Sequence, residues 1–222
     1  MGLEKNQVYR SLKTLEEAGF LRSDDEGGFA LTPILNVLHK ASADSQQASL
    51  ANVAGPHMDR LAGETQESVN LFALAGDLAV CIDRRDSPQR VRLASVLGLT
   101  VPLHAGAVPK AILAHLSEPE QSRIMRKLDS YTQYTEKTIM DRKILTQDLL
   151  CIRERGYSIS DGDFDTAARG VGAAVFDHTR KVIGGISVGG PSFRVDDTAL
   201  ERFGQLIVQE ARAISRQLGY PG

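Results

Sequence analysis

Cysteine is nearly absent from the 222-residue chain: Cys81 and Cys151 are the only two, far apart and in unrelated contexts. That excludes a disulfide framework and any CxxC redox or zinc spacing, and both thiols are expected to be small buried apolar residues. Long hydrophobic runs are missing as well. No stretch approaches the roughly 18 apolar residues of a membrane span, and the start lacks a charged region followed by an apolar stretch and a cleavage site. A cytoplasmic, soluble protein without membrane association is expected. There is no internal repeat, no low-complexity tract and no basic excess. With 26 Lys and Arg against 28 Asp and Glu, and a net charge of -2, composition gives nucleic-acid binding no support.

What is present is an ordinary apolar content over a length that suits one substantial domain and a smaller module. Near the start, NQVYRSLKTLEEAGFL carries Val8, Leu12 and Leu15 at helical spacing until Gly19, a residue that ends helices because it adopts positive φ without a Cβ penalty. The periodicity predicts a helix over 6–18, cationic at its front (Lys5, Arg10, Lys13) and acidic at its back (Glu16, Glu17). FLRSDDEGGFALT then reads as a β-hairpin, its turn supplied by the glycines. Helix, glycine, hairpin is the order of a winged helix.

After Pro33 the pattern is helical, with Leu35, Leu38, Leu50, Val53, Met58 and Leu61 as apolar stripes and Pro56 expected to break or kink the run. From Ser68 the period becomes two: SVNLFALA and LAVCIDRR form a hairpin across Gly76 and Asp77, and RVRLAS is expected as a third strand. Helices are expected over about 108–116, 118–128 and 141–155, then strands VGAAVFD and VIGGISVGG, then a last amphipathic helix over about 196–218. Strands at both ends with helices between describe an α+β sheet domain.

Taken together, QVYRSLKTLEEAGFLRSDDEGGFALT, VRLASVLGLTVPLHAGAVPKAILAHL, IRERGYSISDGDFDTAARGVGAAVFD and GGISVGGPSFR resemble the IclR family of bacterial transcription regulators over essentially the whole chain. The resemblance implies a partial winged helix-turn-helix over 1–32, a linker helix over 33–47 that mediates dimerisation, and a GAF-like effector domain over 48–222. It further implies operator DNA and a small organic acid as partners, a homodimer that pairs into a dimer of dimers (a homotetramer), and no cofactor. Family members usually carry roughly thirty further residues in front, the first helices of the DNA-binding domain. The chain as given is therefore expected to bind operator DNA weakly, since isolated helices of about a dozen residues are marginal. A stand-alone sensing and oligomerisation domain is the alternative.

The DNA candidates are Lys5, Asn6, Gln7, Arg10 and Lys13 on the helix, and Arg22 as the sole cation of an acidic wing. Asn and Gln suit adenine edges, whereas Arg and Lys suit guanine or phosphate. The effector candidates implied by the family motifs are Gly106, Ala107, Val108, Ser160, Asp161, Gly170, Ser187 and Gly189. HAGAVPKA offers helix-start amides to a carboxylate. Relatives often have Gly at Pro109 and small hydroxyl or thiol side chains at Gly170 and Gly189. Glycine there implies more volume and fewer polar contacts, hence an aromatic or cyclic acid.

Two rival chemistries fit poorly. GISVG matches G-x-S-x-G around Ser187, but a nucleophile elbow needs a helix immediately after the serine, and GGPSFR follows. DGDFD opens like a calcium loop, yet Thr166 and Gly172 stand where glycine and glutamate are required. Histidines 39, 57, 104, 115 and 178 lack zinc spacing. No catalytic or metal-ligating residue is expected. His104 reads as a loop or core residue, and of the three aspartates Asp161 is the one placed toward the pocket.

Overall fold

The computed structural model describes residues 5–24, 27–35 and 46–222. The chain divides into two compact units, Met1–Ala48 and Ser49–Gly222.

In the first unit, α1 (Lys5–Glu17) is followed by β1 (Leu21–Ser23) and β2 (Phe29–Leu31), an antiparallel pair. Gly19 at φ 80° turns the chain out of the helix, and the Gly19 and Phe20 amides donate to the Glu16 and Leu15 carbonyls, both at 2.9 Å. Glu16 then accepts from the Ser23 amide at 2.8 Å, which ties helix to hairpin. The expected linker helix falls mostly on residues 36–45, outside the described residues.

The second unit is a six-stranded antiparallel sheet in the order β5-β4-β3-β8-β7-β6. Its strands are β3 (Ser68–Ala75), β4 (Leu78–Arg85), β5 (Thr100–Pro102), β6 (Ser158–Asp161), β7 (Ala168–Phe176) and β8 (Val182–Pro191). Side chains alternate between faces. Val69, Leu71, Ala73, Val171, Ala173, Ile186 and Val188 share one core with α2 (Gln46–Thr65) and α6 (Asp197–Gln217). On the opposite face Phe72 and Ala174 pack with α3 (Ala107–His115), α4 (Glu118–Arg126) and α5 (Arg142–Arg155). Helices on both faces of one sheet confirm the α+β class.

Several sequence expectations need correction. α2 runs through Pro56. Gly55 precedes the proline and carries no Cβ for the ring to strike, and Leu50, Ala54, Met58 and Leu61 lock the helix to the core. RVRLAS is not a strand: residues 86–99 leave the sheet as a loop, and β5 forms later. Side chains pin the loop instead, with Ser68 Oγ donating to the Leu93 carbonyl at 2.9 Å and Arg194 to that of Val91 at 3.0 Å. Cys81 is buried, but Cys151 is exposed on the outer side of α5. SISD, to which the sequence pattern assigns no element, forms edge strand β6.

Candidate functional site

The cavity of the second unit depends on how closely α3 approaches the sheet. A Cβ on Gly172 would lie 2.6 Å from the Ala107 carbonyl carbon and one on Gly185 2.9 Å from Val108 Cγ1, so glycine lets the helix start rest on the strands. Gly106 caps α3 at φ 86°, a conformation that favours glycine. Beside this contact lies a cavity of about 130 Å³. Phe72, Leu93, Leu99, Val101 and Phe164 give it apolar walls, Asn70, Ser95, Ser160 and Ser187 supply hydroxyl and amide groups, and Gly106, Ala107 and Val108 bring the first turn of α3 to it. Asn70 and Ser187 are cross-strand partners on β3 and β8, which places their side chains on the same face.

Seven of the eight effector candidates meet here: Gly106, Ala107, Val108, Ser160, Gly170, Ser187 and Gly189 line the cavity. Asp161 does not. It is half exposed and holds an ion pair with Arg169 at 2.8 Å, with Lys137 at 3.5 Å. The neighbouring aspartate turns inward instead: buried Asp163 sits 2.9 Å from the ammonium of buried Lys110 and accepts from the Gly106 amide at 3.3 Å and from the Ser160 hydroxyl. Lys110 also donates to the Ile159 carbonyl at 2.8 Å and pairs with Asp148 at 3.2 Å. Two buried charges are tolerable here because each is paired with the other and each also makes hydrogen bonds.

The volume argument from Gly170 and Gly189 also changes. A Cβ on Gly170 would meet the Val188 carbonyl oxygen at 2.6 Å, and one on Gly189 would meet the Arg169 carbonyl oxygen at 3.1 Å and Leu93 at 3.3 Å. Glycine at 170 thus serves strand pairing before it serves ligand space. The space comes from the apolar walls. Arg169 is the only cation among the lining residues, and its guanidinium is already engaged by Asp161, Asp197 (2.6 Å) and the Val195 carbonyl (3.0 Å). With the Gly106 amide taken and Pro109 lacking one, the Ala107 and Val108 amides are the donors that α3's first turn offers.

In the first unit Lys5, Asn6, Gln7 and Arg10 are exposed along α1, and Arg22 is exposed on β1. Lys13 differs: it pairs with Glu16 at 2.6 Å and lies 5.5 Å from the centre of the Phe29 ring. That pair and the Ser23 bonds hold the Glu16 pKa down to about 2, and the hydrogen bond that Lys13 donates to Glu16 raises the Lys13 pKa. Lys13 therefore braces the helix against the hairpin.

Among the described residues neither rival chemistry finds a site. Ser187 lies inside β8, and the next helix starts only at Asp197. Among the described residues no group of three or more His, Cys, Asp and Glu side chains is placed to hold a metal ion. His104 is fully buried, its Nε2 3.0 Å from the Thr132 carbonyl and its ring stacked on Tyr131 and Tyr134. Burial lowers its pKa, countered in part by the Thr132 bond. No described helix is long and apolar enough to cross a membrane.

Sequence reasoning passed over Asn70, Leu93, Arg169 and the Lys110–Asp163 pair. Lys110 had a readable signal: a lone cation in AVPKAILA, an otherwise apolar helix, must find a buried partner.

The bacterial transcriptional regulator IclR C-terminal family matches residues 43–216. The chain is 32% identical to the HTH-type transcriptional repressor AllR of Escherichia coli, covering 99% of this chain and 80% of AllR. It is 30% identical to the HTH-type transcriptional regulator KipR of Bacillus subtilis, covering 99% and 86%. The crystal structure of an IclR homolog from Microbacterium hydrocarbonoxydans, complexed with 4-hydroxybenzoate, has the same fold, with a TM-score of 0.79 at 21% identity over 97% of this chain and 86% of that one. These relatives are regulators and not enzymes. A family match across the whole sheet domain, with repressor and regulator relatives aligned over 99% of this chain, makes the chain a DNA-binding transcription regulator of the IclR family.

Proposed function

We propose that the second unit senses a small ring-bearing organic acid and that α1 with its hairpin reads operator DNA under that control. The observation carrying the ligand class is the cavity itself: about 130 Å³, walled by apolar side chains, beside two free helix-start amides. An apolar cavity of about 150 Å³ holds a benzene ring, so a single six-membered ring suits this one, its carboxylate on the Ala107 and Val108 amides. The Microbacterium homolog's 4-hydroxybenzoate is an acid of this class. The test is thermal-shift comparison of benzoate and hydroxybenzoates with glyoxylate and pyruvate. The ring acids are expected to stabilise the protein more; greater stabilisation by the two- and three-carbon acids would overturn the reading.

For DNA, Lys5, Asn6, Gln7 and Arg10 form the reading face, Lys13 supports it and Arg22 contributes from the wing. The three-part division into residues 1–32, 33–47 and 48–222, with the middle segment joining two copies into a homodimer and then a dimer of dimers, belongs to the same proposal. Its check is light scattering on the full chain, with a monomer as the contrary result.

A further inference from the structure

We propose that Ser160 faces the cavity only as a hydrogen-bond acceptor and thereby selects acids that carry a hydroxyl group. The inference rests on the ring-acid reading above and specifies its ligand further. It follows from an inventory of protons. The buried carboxylate of Asp163 takes the Lys110 ammonium at 2.9 Å and the Gly106 amide at 3.3 Å on one oxygen, and the Ser160 hydroxyl on the other. A serine hydroxyl has one proton and two lone pairs, so that proton is committed to Asp163.

Rotating the proton toward a ligand would strip Asp163 of its only donor on that oxygen. Lys110 cannot replace it, because its ammonium pairs with the other Asp163 oxygen at 2.9 Å, donates to the Ile159 carbonyl at 2.8 Å and lies beside Asp148 at 3.2 Å. The Asp163 backbone carbonyl in turn accepts from Thr138 at 2.7 Å, which fixes the loop. The network leaves the lone pairs of Ser160 without a donor, and Ser160 lines the cavity. A ligand hydroxyl completes it. A carboxylate or ether oxygen in the same place would set lone pair against lone pair, and a bare ring carbon would leave the acceptor unsatisfied.

Calorimetric titration of the full chain with benzoate, the three isomeric hydroxybenzoates and their methyl ethers tests this. At least one hydroxybenzoate is expected to bind on the order of tenfold more tightly than its own methyl ether. Ser160→Ala should abolish that preference while benzoate still binds. Asp163→Asn, which can offer its amide N–H to Ser160 and release the serine proton, should narrow it. If Asp163→Asn does not fold, Ser160→Ala decides alone. Equal binding of hydroxyl and ether forms by the unaltered protein, or a preference that survives Ser160→Ala, overturns the acceptor role and leaves the ring-acid reading standing. No binding of any benzoate removes both.

Discussion

Two helices with similar amphipathic patterns end up in opposite conditions. α1 of the first unit contains no buried residue, with Val8, Tyr9 and Leu15 of its apolar stripe all exposed. α6 of the second unit buries Leu200, Phe203, Ile207, Ala211 and Ile214 along one side. Periodicity therefore identifies a helix without saying how firmly it is held. The second unit supplies its own cover, a sheet with cores on both faces, so its stability resides in burial. What the first unit shows is a surface of exposed polar and cationic side chains braced by local pairs such as Lys13–Glu16.

The sharpest break of that contrast uses charge. Lys110→Ala leaves Asp163 buried without its cation, and the second unit should lose about 3–5 kcal/mol in urea denaturation. Lys13→Ala, at an exposed pair, should leave the midpoint where it was. Next comes apolar truncation. Leu71→Ala, in the core between the sheet and α2, should cost about 2–5 kcal/mol, and Val8→Ala less than about 0.5 kcal/mol. A comparable loss in both would dissolve the comparison.

Acid provides a graded version. His115, packed edge-on against Phe176 at 5.1 Å, is held at about 4 by burial and secondarily by the Arg153 charge. In the unfolded chain it titrates near 6.5. Between those values the unfolded state binds the extra proton, so stability is full above about 6.5, falls as pH drops toward 4, and is flat for this group below that. The loss should reach at most about 3 kcal/mol, and His115→Phe should flatten the denaturation midpoint over that window. The smallest effect belongs to the DNA face: Arg10→Ala should reduce the slope of log affinity against log salt by about one for duplexes selected from a random pool. An unchanged slope would remove Arg10 from phosphate contact.

Much of this architecture was legible because period and punctuation are local signals. Gly19 ended α1, and the alternation in SVNLFALA sorted Leu71 to one face and Phe72 to the other. The same alternation brought Ser187, Gly189 and Gly170 to the cavity side. What escaped depended on distant partners. VRLAS has a strand's composition, but its carbonyls are claimed by Ser68, Arg84 and Arg194 from elsewhere. Asp161 and Asp163 are indistinguishable in DGDFD. Only the position of Lys110, about fifty residues upstream, decides which of them turns inward.

The loop over residues 86–99 has one more consequence. Ser68, Arg84 and Arg194 grip main-chain oxygens of the loop, those of Leu93, Ser95 and Val91, and the loop in turn contributes Leu93 and Ser95 to the cavity wall. Anchoring and recognition are thereby carried by different atoms of the same residues. Replacing the side chains at 93 and 95 is expected to reshape the cavity without loosening the loop, which makes this segment one where the proposed ligand selectivity can change at little structural risk.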